Sequence, residues 1–371
     1  MHGLAFACGD TSAIVNMRGV IAQSAVRRAT TLAGSVVIGL STVALSQGTA
    51  VAAGLTTHHV AGIQSDISCV SKQLCVAVGY NNASKADVVA LNNGVPAHVS
   101  VVPGSDALYS VSCVAAKGCV AVGQSNKAGG PTIVTIGKNG RTASVDRPKA
   151  PAGVSLSRIA CITLTNCEVV GNDVFTKPAS IAVATWNGHK LTVHNVHGLK
   201  GSSMSIQGVG CRGSSCLVVG YALDVATTTG VVVPVHHGKP GAITKVPGRS
   251  LTGVACTTAA RCFVVGYSQT GGFIATLNNT KVLSSTPEQA DLFAIACHLN
   301  ACTSVGEELP PPSYPQTDAF VGVVVSMTSG AVTSTQVAGA SDGLEGVAQP
   351  TTGLFAAIGA AQTKGSVVTT G

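Results

Sequence analysis

The chain has 371 residues, of which only 10% are charged, and carries a formal net charge of +7. Gly occurs 44 times and aromatics make up 4%, a mix that suits one large β domain of short strands and tight turns. It excludes long amphipathic helices beyond the N-terminus and any bilayer-crossing span after residue 60.

The first element is a secretory leader, expected within residues 1–53. Met17-Arg18 and Arg27-Arg28 supply its positive region, and Leu32–Leu45 its apolar stretch. Ala50-Val51-Ala52 or Val51-Ala52-Ala53 offers the small residues of a cleavage site. Residues 1–16 fit no part of this pattern, so Met17 is read as the true start. That start would leave out Cys8 and retain twelve cysteines. A leader retained as an anchor is the alternative to cleavage.

From residue 54 to 371 one phrase recurs: ISCVSKQLCVAVGY (Ile67–Tyr80), VSCVAAKGCVAVGQ (Val111–Gln124), IACITLTNCEVVGN (Ile159–Asn172), VGCRGSSCLVVGY (Val209–Tyr221), VACTTAARCFVVGY (Val254–Tyr267) and IACHLNACTSVGE (Ile295–Glu307). A seventh copy, Val347–Ala360, has Gln349 and Phe355 in place of the cysteines. The copies start 41 to 52 residues apart, counting from positions 69, 113, 161, 211, 256, 297 and 349. A period near 45 built from short β segments predicts an all-β, seven-bladed propeller.

Within the first blade the expected strands are A, Ile67–Val70; B, Cys75–Gly79; C, Asp87–Leu91; and D, Ala97–Val102. Asn92-Asn93-Gly94 is a strong C–D hairpin signal, and equivalents such as Trp186-Asn187-Gly188 follow at the same period. The last repeat stops after its C strand, Gly365–Thr370. Leu55–Val60 is expected to supply the missing D strand, closing the ring three strands plus one.

Each repeat's two cysteines fall on adjacent antiparallel strands, where a disulfide can bridge them. The expected pairs are Cys69–Cys75, Cys113–Cys119, Cys161–Cys167, Cys211–Cys216, Cys256–Cys262 and Cys297–Cys302. Zinc is the rival reading, but it would need four converging ligands where each repeat offers two. In an exported chain the disulfide reading is preferred.

Ser68-Cys69, Cys75–Gly79, Ser112-Cys113, Cys119–Gly123 and Trp186-Asn187-Gly188 resemble a repeat of secreted actinobacterial proteins, S-V-S-C-x-S-x-x-x-C-x-A-V-G with a later W-N-G. The resemblance covers nearly all of the chain after residue 55. It implies an exported propeller and no particular activity.

Sorting loops by face gives an asymmetry of charge. The A–B and C–D turns collect Lys72, Lys117, Lys138, Arg141, Lys190, Arg212, Lys239, Arg261 and Lys281 without Asp or Glu. This side could rest on an anionic envelope polymer, or its lysines could serve solubility alone. The B–C and D–A loops carry Asp66, Asp106, Asp173, Asp224, Glu307, Glu308, Asp318 and Asp342, mixed with several Lys and Arg. Tyr80, Tyr221 and Tyr267 follow the B-strand glycine, and Tyr109 and Tyr314 lie near the same side.

The candidate ligand-binding residues are therefore Tyr80, Tyr221, Tyr267, Asp173, Asp224, Glu307 and Tyr314, on a face suited to a glycan or protein segment. The competing reading is that these tyrosines pack against the next blade as repeat-consensus residues. The Gly306–Thr317 insertion, EELPPPSYPQ at its centre, departs furthest from the repeat and is the best single pointer to function, or else a rigid proline-rich excursion.

No GxSxG or sialidase Asp-box occurs, so no catalytic residue is named. A polysaccharide hydrolase or lyase using carboxylates such as Asp173 with Asp224 is the alternative function. His58, His98 and His194 share one repeat position on separate blades, and no metal or cofactor is expected. The expected partners are a glycan, a protein or an anionic envelope polymer. Nucleic acid is not among them, and the mature chain is read as a secreted monomer without a membrane span.

Overall fold

The computed structural model describes residues 55–370 apart from 126–129, 174–179, 198–201, 225–226, 309–319, 330, 342 and 362–363. For residues 334–341, 360–361 and 364 it describes the backbone alone. The leader, Tyr314, Asp318, Asp342 and most of the proline-rich insertion lie outside the described residues.

The strands form seven antiparallel sheets, the blades of a propeller. Strand A of successive blades is Ile63–Cys69, Ala107–Val114, Val154–Thr163, Ser203–Arg212, Arg249–Cys256, Asp291–His298 and Leu344–Thr351. Each touches strand A of both neighbouring blades, so the seven ring a common axis. Leu55–Ala61 lies antiparallel to Lys364–Thr370, with Leu55 opposite Thr370 and Val60 opposite Gly365. The first and last strands of the described chain therefore share one sheet. In blade 4 the outer strand is split into Lys239–Pro240 and Thr244–Pro247, both paired with Thr228–His236.

Core clusters form between blades rather than within them. Val78 and Val88 of blade 1 pack with Leu108, Ala121 and Ile136 of blade 2. The middle strands are covered on both faces, which is why Val76–Val78 and Val231–Val233 read as unbroken apolar runs. Strand D has one partner only, and Val95–Val101 alternates exposed and half-buried residues. Each fully buried Val or Leu contributes roughly 1.5–3 kcal/mol.

All six expected cysteine pairs are bridged, joining directly opposed residues whose Cα atoms lie 3.8–4.0 Å apart. In the seventh sheet Ala348 faces Ala356 and Thr351 faces Leu354, so Gln349 and Phe355 are not direct partners. Phe355 is buried, and Gln349 lines a recess of about 210 Å³ with Ser68, Cys69, Ala296 and Pro350. That recess sits at the turn-side end of the axis.

Strand A of blade 1 begins at Ile63, four residues before the expected Ile67. Its alternation is masked by a bulge between Gln64 and Asp66, and an equivalent register shift occurs in every other blade. The bulge presses a strand-A carbonyl onto strand B and explains the repeated Val-Gly. A Cβ on Gly79 would collide with the Ile63 carbonyl, and one on Gly220 with that of Ser205. Only glycine fits that close approach.

Candidate functional site

The bulges place chemistry on the axis. Strand A is the innermost strand, so its free edge carries unpaired N–H groups that need partners. In blades 2 and 3 the preceding blade supplies them. Asp66 Oδ2 accepts from Ser110 Oγ at 2.7 Å and from the Val111 N–H at 2.9 Å. Ser68 Oγ accepts from the Cys113 N–H at 3.0 Å, and Ser112 Oγ from that of Cys161 at 2.9 Å. Blades 4 to 7 carry Gly208, Gly253, Ala294 and Gly346 at the Asp66 position, so strands approach closely there instead.

Arg158 projects from the same position of blade 3. Its Nε donates to the Gln207 carbonyl of blade 4 at 2.7 Å and its Nη1 to the Ser157 carbonyl at 3.0 Å. Burial lowers the Arg158 pKa, an effect that Asp66 and Glu345 oppose. Burial likewise raises Asp66 and Glu345, and Arg158 pulls both back. Glu345 is surrounded by protein yet open to solvent, as expected of a side chain facing an axial channel. One cation and two carboxylates thus share the channel, coupled by charge through low-dielectric walls.

At the loop-side mouth the tyrosines form two groups. Tyr109 is pushed up to about 12 by burial, with further contributions from Asp106 and Tyr80. Tyr267 is pushed up to about 12 by burial and by Tyr221, Asp291 and Glu307, while a hydrogen bond with Ser250 opposes the rise. Both phenols stay protonated near neutral pH and can act as donors. Tyr221 is 7% exposed and hydrogen-bonded to Ser205 and Gln207, and burial raises its pKa too. Gln207 Nε2 donates to Ser205 Oγ at 2.7 Å, which ties this group to the Arg158 contact.

Asp291 and Glu307 are directly opposed across strands A and B of blade 6. Opposed side chains in such a ladder have Cβ atoms about 5 Å apart. Both are buried, at 8% and 7% exposed, and the Glu307 carboxylate lies against Gly343.

The structure sorts the candidate residues into separate places. Tyr80 and Tyr267 are half-buried at the mouth, where Glu307 joins Tyr267. Tyr221 is packed into the wall, hydrogen-bonded to Ser205 and Gln207 of its own blade. Asp66 lies mid-strand in the channel wall rather than on the loop face, because strand A starts earlier than its pattern shows. Asp173 is 4% exposed and accepts from Asn195 Nδ2 at 2.9 Å, whereas Asp224 accepts from Thr227 in a loop of the next blade. Neighbours within its own blade engage each of these two carboxylates.

Sequence reasoning passed over Arg158, Glu345 and Asp291. Counting six residues back from each first cysteine would have found Asp291 opposite Glu307, had the shared bulge been known.

No protein-family model matches the chain, and no curated protein matches its sequence. Among solved structures it is similar to one titled "YCF48 bound to D1 peptide", with a TM-score of 0.58 and 14% identity over 89% of this chain and 99% of that one. The RRP9 WD40 repeats give a TM-score of 0.57 at 10% identity, covering 86% of this chain and 98% of theirs. The WD40 propeller domain of Doa1 gives 0.54 at 11% identity, covering 85% and 97%. At such identities the likeness is one of fold, the β-propeller.

Proposed function

We propose that the chain is an exported binding module, acting at the cell envelope or in the medium, that holds an extended glycan or protein segment across its loop-side mouth. The observation carrying this reading is the gathering of Tyr80, Tyr109 and Tyr267 with Asp106, Asp291 and Glu307 around one end of the axis. Phenol rings beside carboxylates suit ligands that present apolar faces and hydrogen-bonding edges together. A propeller of the same architecture was solved with a peptide, which supports a segment-binding role. Six disulfides support an oxidising compartment, and no helix among the described residues is long and apolar enough to cross a membrane.

The test is a screen of envelope glycans and peptide arrays, repeated with Tyr80→Ala and Tyr267→Ala. Both variants should keep the thermal midpoint within a few degrees and lose roughly tenfold or more in affinity for the wild-type hit. Unchanged affinity in both would sink the reading.

The opposed carboxylates Asp291 and Glu307 favour a second reading, a polysaccharide hydrolase or lyase, because glycosidases work through a pair of neighbouring carboxyl groups. Release of reducing ends that disappears in Glu307→Gln would replace the binding-only account. Absence of turnover on every glycan bound would eliminate this alternative.

A further inference from the structure

The opposite face holds a second feature, independent of the mouth. Its nine lysines and arginines are all exposed. Three residues of blade 5 form one cross-strand row there: Arg261 is opposite Asn278, and Asn278 is opposite Lys281. Cross-strand neighbours on one sheet face lie about 5 Å apart, so the two cations flank the amide.

A recess of about 400 Å³ opens beside this row, lined by Arg261, Thr276, Asn278, Leu283, Ser284 and Ser329. Arg261 is held in place within it. Its guanidinium carbon lies 5.2 Å from the Phe263 ring centre, and Nη2 donates to the Ser329 carbonyl of blade 6 at 3.1 Å. A side chain fixed in this way loses little freedom on meeting an anion, and its planar fork matches a carboxylate. Thr276 stands opposite Ser284, and the register shift after Thr276 leaves Leu283 as the extra, bulged residue, 58% exposed.

We propose that this recess binds an acidic sugar unit of a polysaccharide, with its carboxylate on Arg261 and Lys281. Asn278, Thr276 and Ser284 then meet the ring hydroxyls, and the exposed Leu283 side chain meets the apolar face of the ring. Hydroxyl and amide groups beside an apolar side chain suit a sugar better than a bare phosphate chain. The remaining surface lysines extend the field so that a polymer, rather than a single unit, is drawn along the face. This assignment does not depend on any ligand at the mouth.

The test uses the disulfide-bonded protein with polygalacturonate, its methyl-esterified form and long-chain polyphosphate, at about 50 mM and about 300 mM salt. The expected result is binding to polygalacturonate that weakens with salt and falls at least tenfold on esterification. Arg261→Gln should lose roughly tenfold or more, Arg261→Lys should recover only part, and Lys281→Gln should lose less. These residues are exposed, so thermal midpoints should hold. The proposal is overturned if polygalacturonate fails to bind at the lower salt or if the ester binds equally. It is equally overturned if polyphosphate binds as tightly, or if Arg261→Gln matches wild type.

Discussion

Asp87 makes ring stability depend on pH in the direction opposite to ordinary acid unfolding. It stands opposite Gly79, which stands opposite Gln64, and both polar residues are fully buried. Other blades carry Leu108, Leu156, Ile206, Leu251, Leu292 and Leu344 at the Gln64 position, all buried. Neither carboxylate oxygen of Asp87 has a hydrogen bond within 3.5 Å, and burial raises its pKa from 3.8 to about 6. The neighbouring Gln64 amide offsets part of that rise.

Because the folded-state pKa is the higher one, the folded state binds more protons between pH 3.8 and about 6. The stability this contributes is fully present below pH 3.8 and is lost as pH rises through 6. At about 1.4 kcal/mol per pH unit over that window, the loss comes to about 3 kcal/mol. Asp87→Asn keeps the shape and removes the titration. Denaturant unfolding of both proteins should be measured at half-unit steps from pH 3.5 to 7.5. The stability of wild type minus that of the variant should fall by about 2–3 kcal/mol across the window and level off above it. A difference that stays flat would refute the argument, and one that rises with pH would reverse it.

Glu168 is buried beside Thr185 and the Gly238 turn, and burial pushes it up to about 7. Its raised pKa likewise means stability lost as pH rises through 7, so Glu168→Gln should raise the thermal midpoint at pH 8 and leave it little changed at pH 4. Gly220→Ala would force a methyl group onto the Ser205 carbonyl, and should cost about 3 kcal/mol in chemical denaturation. Replacing Cys113 and Cys119 together by Ala should cost about 2 kcal/mol, the loop-closure estimate for so short a loop. Intact mass should rise by about 12 Da on full reduction, two hydrogens for each of the six bridges.

Much of the architecture was legible because it is local and repeated. Six cysteine pairs at five- or six-residue separation mark six hairpins, and Asn93-Gly94 with its equivalents marks their returns. The unfinished last repeat pointed to Leu55–Val60 as the strand beside Gly365–Thr370, where it is found. The site was less legible. Tyr80 and Tyr267 could be placed at the mouth from their position after a glycine, but Tyr221, in the same repeat position, is packed away against Ser205 and Gln207. Its fate depends on neighbours about 15 residues back across the hairpin bulge.

The period and the bridges were determined by the sequence alone, because each follows from backbone patterning within one repeat. The charged channel was decided by tertiary structure. Arg158, Asp66 and Glu345 belong to three different blades, and each is unremarkable in its own strand. They meet because innermost strands from distant parts of the chain share one axis. There they shift one another's pKa values, a coupling that no linear pattern encodes.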